Sequence, residues 1–182
     1  AREDAWLAEL EAIGEPTDIG SRDWVTFGIL HEQLAGAKAI RICRKELWET
    51  STTTAWYNGM PFVFDIQPLE TDDLKAQALA RLGAVDQYID TEIVNLKLGL
   101  AKGYSSPRLT VEAVPEEVRA LRDENSPFLA MGLRAEDEVF EGAVQRIFDE
   151  EIVPAINRYA DFIETEYLAN ARQDIAISFN PD

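Results

Sequence analysis

Few residues in this chain have the types and spacing that chemistry needs. His31-Glu32 opens the pattern of a helical zinc site, in which a second histidine must follow four residues later so that both imidazoles share a face. Position 35 is Ala, and His31 is the only histidine among the 182 residues. It reads instead as a partly buried ring beside Phe27 and Leu34. Cys43, the one cysteine, lies among apolar neighbours at helical spacing and has no histidine to take its proton. That makes it a packing residue rather than a nucleophile. No Ser and Asp are tied to His31, so no triad can be assembled. Gly132 and Gly142 are too isolated to cradle a phosphate. No catalytic set, metal site or cofactor is expected within this chain.

Carboxylates are plentiful. Glu136, Asp137, Glu138 and Glu141 read as the acidic opening of a helix, where the dipole favours them. Glu151 and Glu166 fall near an apolar stripe. If buried there, each would have a raised pKa or a cation such as Arg146 or Arg158 beside it. Acid–base work and a structural ion pair are the two readings. The densest candidate lies in residues 51–68. Trp56, Tyr57, Asn58 and Phe62 offer rings and polar tips, the composition of a substrate-contacting wall. The competing reading folds this apolar stretch down onto the core.

The elements that must hold these residues read as helices. A short helical pattern over residues 2–13 carries Trp6, Leu7, Leu10 and Ile13, and Gly14-Glu15-Pro16 breaks it. Ser21 is placed to cap a long helix over about 23–48. That helix has one stripe of Trp24, Phe27, Leu30, Leu34 and Ala37, and a second of Val25, Ile29, Gly36, Ile40, Cys43 and Leu47. A helix apolar on two sides must be covered on two sides. Residues 51–68 match neither helical nor strand periodicity, and the Thr-rich run, Asn58-Gly59, Pro61 and Pro68 predict an irregular aromatic-rich loop. Thr71 then caps a helix whose face holds Leu74, Ala78, Leu82, Val85, Ile89, Ile93, Leu96 and Leu100, closing at Gly103. A helix over 107–123 is interrupted by Pro115. A last long helix over 135–171 carries Phe140, Val144, Phe148, Ile152, Ile156, Tyr159 and Ile163, with a bend expected at Pro154. Residues 175–179 alternate weakly, as the start of a strand would. The fold class is therefore all-α, a multi-helix array of long antiparallel helices.

There are 17 basic and 34 acidic residues and a net charge of −17. Nucleic acid and anionic membrane surfaces would be repelled. No apolar run approaches the length of a membrane span. A single cysteine permits no intrachain disulfide and leaves the compartment open. The opening Ala1-Arg2 without Met, and the absence of a signal segment, suggest a processed or excised piece.

Several stretches resemble a bacterial family, the domain of unknown function 885. They are Cys43-Arg44-Lys45-Glu46-Leu47-Trp48, Gln67-Pro68-Leu69, Tyr88-Ile89-Asp90-Thr91-Glu92-Ile93 and Asn95-Leu96-Lys97-Leu98-Gly99-Leu100. Gly103-Tyr104, Ser106-Pro107-Arg108, Ser126-Pro127-Phe128 and Pro154-Ala155-Ile156-Asn157-Arg158-Tyr159 follow in order. Glu166-Tyr167-Leu168, Ala171-Arg172 and Asn180-Pro181-Asp182 close the series, so the likeness spans nearly the whole chain. The resemblance implies a long, mostly helical protein, often exported to the periplasm and similar to gluzincin zinc metallopeptidases. Its zinc ligands and catalytic residues would lie in a C-terminal half. By that likeness residues 1–182 form a single helical segment, the N-terminal half of a larger peptidase-like protein. Its partners would be the missing half and a peptide substrate. The alternative is a stand-alone helical binding module without enzymatic activity.

Overall fold

The computed structural model describes residues 2–181. Ala1, and Asp182 of the Asn180-Pro181-Asp182 match, lie outside the described residues. The chain divides into two compact units, Ala1–Lys45 and Glu46–Asp182. The described residues form an all-α fold with no strand, as the periodicities predict.

The first unit is a helical hairpin of α1 (Arg2–Ile13) and α2 (Arg22–Ala39). Gly14 and Gly20 take φ of 81° and 85° in the connection, a left-handed backbone that costs glycine nothing for want of a Cβ. Ser21 caps α2 by accepting the Trp24 N–H at 3.2 Å. The predicted helix over 23–48 ends earlier, at Ala39. It gives way to 3-10 turns at Ile40–Cys43 and Lys45–Leu47, with Arg44 left-handed between them at φ 47°. A 3-10 turn repeats every three residues, so apolar spacing carries on past the true helix end and hides it. From the first of these turns Arg41 reaches back to α1, donating to Asp4 at 2.8 Å and Glu3 at 2.6 Å. Of the first stripe Trp24, Phe27, Leu34 and Ala37 are half-buried and Leu30 is exposed; of the second, Val25, Ile29, Gly36 and Ile40 are exposed, Cys43 is half-buried and Leu47 is buried.

The second unit holds the main core. Residues 51–68 are not the irregular loop that their breakers suggest. Trp56–Asp65 is α3, with Pro61 inside it. The Thr-rich run stays outside the helix. Within it, burial of Trp56, Tyr57, Pro61 and Phe64 on one face overrides weak local propensity. Arg134 finishes the element, donating to the carbonyls of Phe64 at 3.2 Å and Gln67 at 2.6 Å, and to that of Asp65.

Thr71 caps α4 (Asp72–Gly83) by accepting the Leu74 N–H at 3.2 Å. A joint at Ala84 separates α4 from α5 (Val85–Ala101) where one helix was expected. Ala84 keeps a right-handed backbone, so the apolar face runs across the joint and Ala78, Leu82, Val85, Ile89 and Leu96 are all buried. Gly103, at φ 85°, ends the element. As Pro115 implies, the next stretch restarts, as α6 (Arg108–Val111) and α7 (Val114–Ala120). α8 (Ala130–Arg134) follows, and both α5 and α7 pack on Val153–Phe162 of the last helix.

That helix runs unbroken over residues 138–170, as α9 (Glu138–Ile147), α10 (Val153–Phe162) and α11 (Leu168–Asn170) joined by π turns at Phe148–Ile152 and Ile163–Tyr167. Asp137 caps it, accepting the Val139 and Phe140 N–H groups at 3.1 Å. Its buried residues explain the π turns. Phe140, Val144, Phe148, Ile152 and Ile156 recur every fourth position, and so do Tyr159, Ile163, Tyr167 and Ala171; all are buried. In a straight α-helix each four-residue step drifts by about 40°. The wider π turns absorb the drift and keep both series facing the core. Pro154 is the second residue after the first π turn, so the break in hydrogen bonding is taken up there. Residues 175–179 form no strand. They hold a 3-10 turn at Ile177–Phe179, and the one β-like pairing among the described residues joins Pro107 to Arg172.

Two tests follow from this geometry. Trypsin under native conditions is expected to cut first at Arg44 or Lys45, leaving a resistant fragment of residues 46–182; mass spectrometry showing first cuts inside 72–170 would contradict the division. A Cβ added at Gly99 would lie 1.7 Å from the Leu47 carbonyl oxygen. Gly99→Ala should therefore lower stability by about 2–3 kcal/mol or more, read as an earlier urea midpoint, and an unchanged midpoint would contradict the close approach.

Candidate functional site

The four candidate contact residues fall on α3, and the helix sends them two ways. Trp56 and Tyr57 are 7% and 6% exposed, while Phe62 is 62% exposed and Asn58 is also at the surface. They do not form one wall. Asn58 and Phe62, four residues apart, share the outer face; Trp56 and Tyr57 belong to the interior.

There they meet a polar knot. The Trp56 ring stands edge-on to Tyr57 at 5.6 Å and to Tyr159 at 5.5 Å. Tyr57 Oη donates to the Ser51 carbonyl at 2.7 Å. Tyr159 Oη shares a 2.8 Å hydrogen bond with Thr50 Oγ1, which is completely buried. The Trp48 carbonyl accepts from Ser106 Oγ at 2.7 Å and Tyr167 Oη at 3.1 Å, and Tyr167 Oη in turn accepts the Ser106 N–H at 2.8 Å. Arg172 extends the set, its N–H donating to Ser105 Oγ at 3.0 Å and its guanidinium to Asn180 Oδ1 at 2.8 Å. Burial pushes the phenols of Tyr57, Tyr159 and Tyr167 up, so they remain neutral donors and acceptors near pH 7 and cannot act as bases. Trp56 Nε1 is buried without a partner. Composition gave no sign of this knot. Its one signal was the pair Tyr159 and Tyr167 on an apolar stripe, since a buried tyrosine hydroxyl must find a partner.

The remaining candidates lie apart. Glu151 and Glu166 are exposed, and Glu166 pairs with Lys97 at 3.0 Å. Arg158 pairs with Asp90 at 2.9 Å and with Asp86, not with either glutamate. The carboxylate with a raised pKa is one the spacing did not single out, Glu92. Burial lifts it, the Tyr88 hydroxyl bonded to it lowers it, and the charge of Glu49 lifts it further. Tyr88 is itself pushed up to about 12 by burial and by Glu92. His31 stacks on Phe27 at 6.0 Å and faces Glu11 at 3.8 Å. Cys43 is half-buried. Among the described residues no three His, Cys, Asp or Glu side chains come together as metal ligands, and no helix is long and apolar enough to cross a membrane.

The surface also carries two open apolar hollows. One, of about 520 Å3, runs between α1 and α2 against Trp6, Leu10, Ile13, Leu30 and Leu34. The other, of about 240 Å3, lies between α3 and the α4–α5 joint. A model of the family described as "Bacterial protein of unknown function (DUF885)" matches residues 1–182, the whole chain. The chain belongs to the DUF885 family. No curated protein matches it.

In this DUF885 chain the knot just described ties the second unit together, and its strength can be measured. Tyr159→Phe removes the partner of a fully buried hydroxyl and should cost about 1–3 kcal/mol. The pair Tyr159→Phe with Thr50→Val should cost clearly less than the two single losses added, because neither then leaves an orphan. Additive losses in urea unfolding would show that the two hydroxyls are not coupled.

Proposed function

We propose that this chain is a non-catalytic helical scaffold and cleft wall of a zinc-peptidase-like hydrolase that acts on peptides. The zinc ligands and the catalytic residues would be carried by a further helical half of the same protein, and the whole would work in the periplasm or outside the cell. The observation that carries this reading is α2. Not one of its 18 residues is buried, and Val25 and Ile29 are 44% and 55% exposed. A helix apolar on two sides gains from further covering, and a contiguous apolar surface marks an interaction face. On α3, Asn58 and Phe62 would meet substrate, while Trp56 and Tyr57 would position the helix that carries them.

The residues of this chain do not themselves fit a zinc site. The single imidazole is partly exposed and faces Glu11, and among the described residues no set of three metal-ligating side chains gathers. A catalytic zinc takes three protein ligands and an open position. No reaction step is therefore assigned to side chains of this segment.

The second reading, a binding module without activity, is favoured by the second unit, which buries Phe64, Leu82, Ile89, Phe128, Ile152 and Ile156 almost completely without outside help. Metal content and peptide hydrolysis separate the two, measured on this chain alone and on the complete protein containing it. The scaffold reading expects one zinc per molecule and peptide cleavage in the complete protein, with neither in the isolated chain. A complete protein lacking both would overturn it and leave the binding module.

A further inference from the structure

The smaller hollow, of about 240 Å3, is walled by Met60, Val63, Phe64 and Val85, with Arg81 and Tyr88 at its margins. It lies against the joint at Ala84. The joint carries Leu82 and Val85 into the core but leaves a gap where α3 passes. Open apolar walls in water favour an occupant.

Arg81 is the only charged side chain in that lining. Elsewhere in the chain Arg41, Arg108, Arg119 and Arg158 each hold a carboxylate. Arg81 does not: its guanidinium donates to the neutral Gln67 Oε1, and among the described residues it makes no ion pair. Arg122, Arg134 and Arg172 also pair with no carboxylate, but each spends its donors on two or more carbonyl or amide oxygens; Arg81 has the single Gln67 partner and lies beside an apolar hollow. Its anchor is firm. Gln67 is almost fully buried and its Nε2 donates to the Pro68 carbonyl at 3.3 Å. The guanidinium is thus held in place with most of its five donors unspent, and a planar fork of this kind matches a carboxylate.

We infer that this hollow binds a small apolar carboxylate, its chain between Met60, Val63 and Val85 and its anionic head on Arg81. The hollow is smaller than the roughly 300–1,000 Å3 of drug-sized sites, so the apolar part is a short aliphatic chain or a single side chain. Two sources share this chemistry: a free short-chain carboxylic acid, and the last residue of a peptide, in which side chain and carboxylate leave the same carbon. The overall negative charge of the protein does not forbid the site, because that field is screened beyond about 8 Å while the guanidinium acts in contact. The inference stands on the hollow and on Arg81, independently of the scaffold reading.

The test is methyl NMR titration of the full chain with hexanoate, hexanol, hexylamine, and the peptide Ala-Ala-Ala-Leu as free acid and as amide. Hexanoate or the free-acid peptide should move the resonances of Met60, Val63 and Val85, and the uncharged or amidated counterpart should bind about tenfold more weakly or worse, the loss of one charge-assisted contact. Arg81→Gln should weaken the acid by a similar factor and leave hexanol binding as it was, which also reports that the hollow is intact. Binding of hexanoate but not the peptide assigns a free acid; tighter binding of the free-acid peptide than of hexanoate assigns a peptide end. No shift with any carboxylate, equal affinity for acid, alcohol and amine, or indifference to Arg81→Gln would each overturn the inference.

Discussion

The carbonyl of Trp48 is the point on which the second unit turns. It lies in a short stretch with no regular structure between the 3-10 turn at Lys45–Leu47 and α3, and it accepts two hydroxyl hydrogen bonds, from Ser106 and from Tyr167. A backbone group buried without such partners would cost what a lost hydrogen bond costs. Satisfying it ties three remote pieces of chain together: the entry to α3, the turn after α5 and the far end of the last helix. Thr50 with Tyr159 repeats the arrangement one step along. The apolar core around these groups is large, but apolar contact is non-directional. The hydroxyls supply direction, and they decide which residues of the last helix may face the entry segment.

The same constraint explains why Gly99 and the entry segment belong together. The Leu47 carbonyl sits where any side chain on Gly99 would have to go. The end of the 3-10 turn at Leu47 can therefore lie directly on α5 while its neighbour, Trp48, reaches the knot. Arg134, donating to the carbonyls of Phe64 and Asp65 at the end of α3 and of Gln67 just past it, holds the far end of that helix. Side chains, more than helix caps, anchor the ends of α3.

Much of the fold was legible in the residues because periodicity reports burial. The face running from Leu74 to Leu100, the caps at Ser21 and Thr71, and the restart at Pro115 all follow from local rules with physical causes, whereas Asp137, read as part of an acidic first turn, is the cap itself. The failures have causes too. α3 was hidden because Asn58-Gly59 and Pro61 speak for turns, while the force that makes it helical is tertiary burial of Trp56 and Phe64. The end of α2 was hidden because 3-10 turns mimic helical spacing. Of the candidate contacts, Asn58 and Phe62 lie at the surface and Trp56 and Tyr57 do not, a difference invisible while the stretch was read as a loop. The knot itself joins residues up to 119 positions apart, and a hydrogen bond between distant hydroxyls leaves no trace in spacing. DUF885 membership was legible for a different reason: it rests on ordered short matches along the whole chain, which need no knowledge of what touches what.

The two π turns of the last helix give that helix a history and a vulnerability. Each holds about one residue more than the spiral needs. Excising that residue would leave a perfectly good α-helix, yet everything beyond it would swing round by about 100°. Excision at the first turn would point the hydroxyls of Tyr159 and Tyr167 away from their partners, excision at the second that of Tyr167 alone, and the polar groups they now satisfy would be left stranded in the dark interior. In this helix, length tolerance and rotational tolerance are opposites: the chain can be shortened locally without strain, but only by misaiming what it carries.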